Sequence, residues 1–133
     1  MNIITFFKSF GSVLLPMLVL DGIWITSMNA PFYQKYLGHL MGKHPVWIAA
    51  IVFYVVYAAG TAYLVVAPAL AQGLSWHAVA LRGAALGLMA YATYDLTNLA
   101  TISNWSVVLT VVDMAWGTVI TAAASVIGYL ILK

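Results

Sequence analysis

The chain has 133 residues, of which 65% are hydrophobic and only 6% are charged, and its formal net charge is +2. Soluble domains carry about 25% charged residues, so this composition excludes a soluble globular enzyme and a disordered linker. So small and scattered a charge excludes a nucleic-acid interface, and the absence of cysteine excludes disulfides, thiol nucleophiles and cysteine metal sites. We therefore expect an all-α, polytopic membrane protein.

Four apolar stretches follow one another along the chain. A helix that crosses the hydrocarbon layer needs about 20 mostly apolar residues. The stretches that meet this length are residues 10–28, 47–70, 77–102 and 105–132. Their apolar runs are continuous rather than alternating, which favours helices over a β-barrel. The sequence therefore predicts a single domain, residues 1–133, that forms a bundle of four transmembrane helices.

Turn-forming and interfacial residues mark the ends of these spans. Residues 29–31 (Asn-Ala-Pro) should end the first span. Trp47, Trp76 and Trp105 each lie near the start of a span, where an indole ring favours the headgroup layer. The acid Asp21 inside the first apolar run argues for an uncleaved span rather than a signal peptide.

The positive residues indicate an orientation by a narrow margin. Lys8, Arg82 and Lys133 flank one side of the predicted bundle, and Lys35 and Lys43 lie in the first loop on the other side. Loops that carry more lysine and arginine tend to stay in the cytoplasm. This count favours both termini in the cytoplasm.

Small residues predict where the helices approach one another. Gly83 and Gly87 lie four residues apart in the third span, and Gly117 and Gly128 lie in the fourth. Small side chains allow close helix contact in membranes. Such patches permit a homodimer without requiring one.

All three carboxylate side chains of the chain, Asp21, Asp95 and Asp113, fall inside predicted spans. Inserting an Asp at mid-helix costs about 2.5–3.5 kcal/mol. At a rise of 1.5 Å per residue, each acid lies roughly 10–12 Å from one end of its span. Spans one and three end on the side where span four begins, so we expect the three acids to share one depth.

Polar and aromatic side chains accompany the acids. Tyr91, Asp95 and Asn98 share one face of the third span through their i−4, i and i+3 spacing. A tryptophan follows three residues after Asp21 and again three residues after Asp113. The alternative is a purely structural role, in which protonated acids hydrogen-bond across helices and hold the bundle together. We favour a polar cavity that binds a ligand or a proton, lined by Asp21, Asp95, Asp113, Asn98, Tyr91, Tyr94, Trp24, Trp116 and Tyr54.

The first loop, residues 29–46, holds the cations nearest to this cluster, Lys35 and Lys43. Its apolar side chains predict an amphipathic segment over the acids. The loop also holds His39 and His44, which are weak candidates for a metal site shared with the acids. Because their spacing is not a specific metal signature, we expect solvated histidines, no metal and no cofactor.

Several motifs resemble those of a bacterial family of predicted four-span membrane proteins of unknown function. They are residues 90–101 (AYATYDLTNLAT), with its Y-D-x-x-N pattern, Trp105, and residues 113–117 (DMAWG), with its D-x-x-W-G pattern. Residues 21–24 (DGIW) and 36–38 (YLG) fit the same pattern, so the resemblance covers nearly the whole chain. It implies a small multi-pass protein of the bacterial inner membrane, and it supplies no activity.

Three functions are compatible with these observations. The first is binding or transport of a proton, a cation or a small solute past the acid cluster. The second is an enzyme that acts on a lipid or another apolar substrate, with Asp95 or Asp113 as general acid or base, although no nucleophile–base pair or metal-binding motif supports it. The third is a non-catalytic subunit, or a lipid- or pigment-binding partner, of a membrane complex. The bilayer is the expected partner in each case.

Overall fold

Four long helices make up most of the computed structural model, which describes all 133 residues. In chain order, α1 is Ile3–Leu37, α2 is Trp47–Gln72, α3 is Trp76–Thr101 and α4 is Val107–Leu132. The structure contains no β-strand. The predicted all-α architecture with four helices is confirmed, and the second and third helices begin and end within two residues of the predicted spans.

Three of these helices, α1, α2 and α4, are long and apolar enough to cross a membrane. The remaining helix, α3, has the same 26-residue length as α2 and α4. It is less apolar because it carries Arg82, Asp95 and Asn98 together with several threonines. The passage of α3 through the membrane therefore stays a prediction.

The first helix is longer than its predicted span, and the prediction that residues 29–31 end it is wrong. The chain passes through Asn29–Tyr33 as a π-helical turn, in which the Gln34 N–H donates to the Asn29 carbonyl. A regular α-helix would bring the ring of Pro31 against a carbonyl of the preceding turn. The wider π-helical turn accommodates the ring. Much of the predicted interfacial segment is therefore a continuation of α1, which carries Tyr33 and Leu37 toward the acids.

The second helix also contains a π-helical turn, Ala62–Val66, shortly before Pro68. It ends at Gly73, whose φ of 62° is a left-handed conformation that glycine adopts without strain. The next residue, Leu74, accepts a hydrogen bond at its carbonyl oxygen from the hydroxyl of Tyr129 in α4. The short connection between α2 and α3 is thus attached to the fourth helix.

The fourth helix lies between α1 and α3 and forms the largest interfaces of the bundle. Glycines make this possible, because a Cβ atom added at Gly83 would lie 2.9 Å from the carbonyl oxygen of Thr121. The apolar core occupies the half of the bundle nearer the chain termini. Its main members are Val13, Met17, Val65, Val66, Ile120, Ala124 and Tyr129.

The position of Trp105 near the start of a span predicts an exposed ring at the membrane interface, but the ring is buried. It is 8% exposed, and its indole nitrogen donates to Thr110 Oγ1 at 3.1 Å. The helix itself begins at Val107, where Ser106 caps it by accepting from the Leu109 N–H. Trp47 and Trp76, in contrast, are exposed. Trp105 therefore helps to fix the start of α4.

Candidate functional site

All three carboxylates line one cavity of about 310 Å³ at the end of the bundle opposite the chain termini. Asp21, Asp95 and Asp113 are 7%, 0% and 9% exposed, and they come from α1, α3 and α4. The side chains that complete most of the wall are Asn29, Tyr33, Tyr91, Tyr94, Trp116, Leu37 and Met41. The arrangement matches the common depth expected from the order of the spans.

No lysine, arginine or histidine lines this cavity. The ammonium group of Lys35 lies 5.3 Å from the centre of the Tyr36 ring instead. His39 and His44 are exposed in the connection between α1 and α2, and nowhere in the chain do three His, Asp or Glu side chains come together as a metal-binding group. The arrangement that would let these histidines share a metal ion with the acids is therefore absent.

Asp21 has a hydrogen-bond donor on each carboxylate oxygen. The hydroxyl of Tyr54 in α2 donates to Oδ2, and the indole nitrogen of Trp116 in α4 donates to Oδ1 at 3.1 Å. Asp21 thereby joins three helices at the level of the cavity.

Asp113 is reached from α1 through Tyr33. The Tyr33 hydroxyl donates to Asp113 Oδ1 at 2.9 Å and accepts from the indole nitrogen of Trp24, also at 2.9 Å. The Trp24 and Trp116 rings stack with their centroids 4.3 Å apart. The tryptophan of each D-x-x-W motif thus supports the acid of the other motif. Trp116 donates directly to Asp21, and Trp24 donates to Tyr33, which in turn donates to Asp113. This exchange gives the repeated spacing a packing explanation.

Asp95 differs from both of the other acids. It is fully buried, and no N–H or O–H group of the protein donates to either of its carboxylate oxygens. The neighbouring polar group is the carboxyl of Asp113, which can form a hydrogen bond with Asp95 only when one of the two is protonated. Buried polar groups without partners are rare in folded proteins, and each one calls for an explanation.

The other predicted site residues divide into two groups. Tyr91, Tyr94 and Trp116 line the cavity, while Tyr54 and Trp24 support its acids directly or through Tyr33. Asn98 is half-buried and does not itself line the cavity, but it lies beside Tyr94, which does. The ligand-binding or proton-binding role of this set stays a prediction.

Sequence reasoning missed the part that Tyr33 plays. The sequence predicts Tyr33 only within a segment that covers the cluster, because Pro31 indicates that the helix ends before it. If the helix is taken to continue through Pro31, Tyr33 lies on the same helix as Asp21 and Trp24, and it is then a candidate for contact with the acids. Asn29 and Leu37 reach the cavity in the same way.

Replacing Tyr33 with phenylalanine should lower the free energy of unfolding by about 1–3 kcal/mol, because Asp113 loses its donor and the Trp24 indole loses its acceptor. Thermal unfolding in detergent, followed by far-UV circular dichroism, measures this change. Tyr36→Phe is the matched control, since no hydrogen bond of the Tyr36 hydroxyl is present. Equal losses in the two variants would show that the Trp24–Tyr33–Asp113 chain contributes nothing to stability.

Comparison with known proteins identifies one family. The model described as "Predicted membrane protein (DUF2177)" matches residues 6–130. No curated protein and no solved structure matches the chain. The matched stretch contains all three acids of the cavity and every residue that hydrogen-bonds to them.

Proposed function

We propose that this chain, which belongs to the family of predicted membrane proteins matched above, binds a proton or a small cation in its cavity and transports it across the membrane. The function of the family is unknown, so the proposal depends on the site itself. The observation that carries the proposal is Asp95, a fully buried carboxyl without a hydrogen-bond donor. An ionisable residue inside a membrane segment is by default a candidate functional site. A bound cation or proton would supply the partner that the protein does not.

The three acids have different parts in this proposal. Asp21 has a donor on each oxygen, so it holds the helices together rather than binding the solute. Asp113 receives one bond, at Oδ1, from Tyr33. Both oxygens of Asp95 and Oδ2 of Asp113 therefore remain as acceptors for a cation.

Exchange of a proton for a cation keeps the charge of the cavity constant. When a monovalent cation binds between Asp95 and Asp113, one carboxyl releases its proton to water. When the cation leaves, a proton takes its place. Since an uncompensated charge is costly in a low-dielectric site, this exchange avoids the most unfavourable states of the cavity. Such a site couples the movement of one proton to that of one monovalent cation in the opposite direction.

The size and walls of the cavity favour a small organic cation. Its volume of about 310 Å³ is close to the lower end of the range for small-ligand sites, about 300–1,000 Å³. Rings of Tyr33, Tyr91 and Trp116 line it beside the carboxylates. Aromatic faces attract organic cations, so a guanidinium or a substituted ammonium ion would satisfy both parts of the wall.

The proposed setting is a bacterial inner membrane with both termini in the cytoplasm. Lys8 and Lys133 lie near the termini, and the cavity lies at the other end of the bundle. With this orientation the cavity would face the non-cytoplasmic side. Either a single bundle or a homodimer fits the scheme.

Proton release from acid-loaded liposomes tests transport. Liposomes containing the protein and a pH-sensitive dye should become alkaline inside when guanidinium or tetramethylammonium is added outside. Asp95→Asn should abolish this response, because an amide cannot exchange a proton. Thr97→Ala, an exposed change on the same helix, should leave it intact. Equal rates for wild type and Asp95→Asn, or for wild type and protein-free liposomes, would contradict the proposal.

An enzyme that acts on an apolar substrate is the second candidate. The observation in its favour is that Asp95 and Asp113 are neighbours with different hydrogen-bond environments. Such pairs often divide into an acid and a base. An enzyme should turn over its substrate in detergent without any gradient, whereas a non-catalytic subunit should copurify with its complex and do neither.

A further inference from the structure

A second cavity, of about 440 Å³, adjoins the acid cavity, with which it shares lining residues. Its lining consists of Phe53, Tyr57, Ala90, Tyr91, Tyr94 and Asp113. Tyr91, Tyr94 and Asp113 also line the acid cavity. Asp113 therefore lies on a groove between α2 and α3, hereafter the lateral groove, and Asp95 lies beside Asp113 in the adjoining acid cavity.

The lateral groove exists because α2 and α3 separate at this end of the bundle. Their principal contact lies at the π-helical turn Ala62–Val66, in the other half of α2. Farther along, the rings of Tyr57 and Tyr91 touch edge to face at a centroid distance of 6.4 Å. Beyond this contact Phe53 is 45% exposed, so the groove reaches the outer surface of the bundle.

An apolar surface continues from the lateral groove along α2. Ile48, Ala49, Val52 and Val56 form a shallow depression together with Phe53 and Tyr57, which also line the groove. From Tyr57 to Ile48 this surface extends about 13 Å along the helix. It leads from the acid cavity to the end of α2 on the same side of the membrane, and every residue that lines it is apolar or aromatic.

The charges of the lining residues determine which kind of headgroup can bind beside the lateral groove. The acid cavity and the lateral groove contain aspartates, and no lysine, arginine or histidine lines either of them or the surface on α2. A phosphate or sulfate headgroup would meet carboxylates without any cation to neutralise it. An ammonium group would find acceptors on Asp95 and Asp113 and aromatic faces beside them.

We infer that the ligand is a single-chain amphiphile with an amine headgroup, held by Asp95 and Asp113 while its hydrocarbon chain lies in the lateral groove and along α2. The inference rests on the proposed cation site and adds the route of entry, from the bilayer between α2 and α3. A second copy of the chain is a less suitable occupant, because the α2 surface offers no basic side chain to complement the acids of another copy.

Photo-crosslinking tests this assignment. The probe is tetradecylamine with a diazirine midway along its chain, added to the protein in phosphatidylcholine nanodiscs, and the labelled residues are mapped by mass spectrometry. The amine should label the groove residues of α2 and α3 at least about tenfold more than the corresponding alkyl sulfate, since only the amine forms charge-assisted hydrogen bonds with the acids. Asp95→Asn should reduce this labelling to the level of the corresponding alcohol.

A steric variant tests the groove itself. Ala90→Trp fills the lateral groove and should reduce labelling of α2 by the amine. Met89→Trp introduces the same side chain at a 61% exposed position outside every described cavity and should not. Uniform labelling of the lipid-facing residues, unchanged by either Asp95→Asn or Ala90→Trp, would overturn the inference.

The outcomes separate this inference from the proposed function. If guanidinium uptake depends on Asp95 but the amine labels the groove no more than the sulfate does, the cation site stands and lipid-side entry is wrong. If neither result is obtained, both proposals are wrong. If mass measurement shows a dimer with cross-links between the Phe53 regions of two copies, the lateral groove is a dimer interface and the inference is wrong.

Discussion

Truncating Asp95 to alanine should abolish cation binding at little cost in stability, whereas the same truncation at Asp21 should destabilise the bundle. Asp21→Ala leaves the Trp116 indole and the Tyr54 hydroxyl without their acceptor. Each orphaned buried donor costs about 1–3 kcal/mol. Asp95→Ala removes a carboxyl to which no tyrosine, tryptophan or backbone group donates, so it leaves none of those groups unpaired.

The two substitutions form a matched pair, because they delete the same atoms from buried positions in one cavity. The cost of the space left behind therefore largely cancels in the comparison. We expect the free energy of unfolding in detergent to be lower in Asp21→Ala than in Asp95→Ala by about 2 kcal/mol or more. Asp113→Ala, which loses the Tyr33 bond, should lie between them. Equal stabilities would mean that the difference in hydrogen bonding among the acids has no energetic consequence.

Replacing Gly87 with alanine should destabilise the contact between α3 and α4, the largest interface of the bundle. A Cβ atom there would collide with the carbonyl oxygen of Gly117 and would lie 2.7 Å from Thr121 Oγ1. The carbonyl belongs to the backbone of α4 and cannot rotate away, so the helices must separate. Overpacking of this kind typically costs about 1–3 kcal/mol.

Gly11→Ala is the control for this prediction. A Cβ atom at Gly11 would meet nothing within 4 Å, so the same substitution should leave stability unchanged or raise it by up to about 1 kcal/mol. Thermal unfolding of both variants in detergent measures the contrast. Gly87→Ala should also weaken cation uptake, because Asp95 and Asp113 lie on the two helices that it forces apart. Equal melting temperatures would contradict the close packing at Gly87.

The wrongly predicted end of α1 shows the limit of predictions from local sequence patterns. Proline usually ends a helix, so Pro31 predicts an end of α1 at residues 29–31. The π-helical turn Asn29–Tyr33 instead absorbs the proline and allows α1 to continue, which brings Tyr33 to Asp113. The hydrogen bond from Tyr33 in that turn to Asp113 in α4 joins residues that are distant in the chain, so no spacing rule within α1 predicts it.

Asn98 and Trp105 show the same limit. Helical spacing places Asn98 one turn after Asp95 on α3, but which of the two side chains lines the cavity depends on how α3 packs against the other helices. Trp105 has the position of an interfacial tryptophan, yet Thr110 in the first turn of α4 accepts its indole hydrogen bond and the ring is buried. Neither outcome is encoded in periodicity.

The amino-acid sequence by itself determined the class of protein, the number of helices and the common level of the three acids. Low charge, apolar length and the alternating direction of successive helices are properties of the chain that require no knowledge of side-chain contacts. Only the tertiary structure decided which acid is left without a donor and where the bundle opens. Those features depend on Tyr33, Tyr54 and Trp116 reaching across from other helices, and on the separation of α2 from α3. Hydrogen bonds and grooves between helices arise only once the helices have packed, because their partners are distant in the chain.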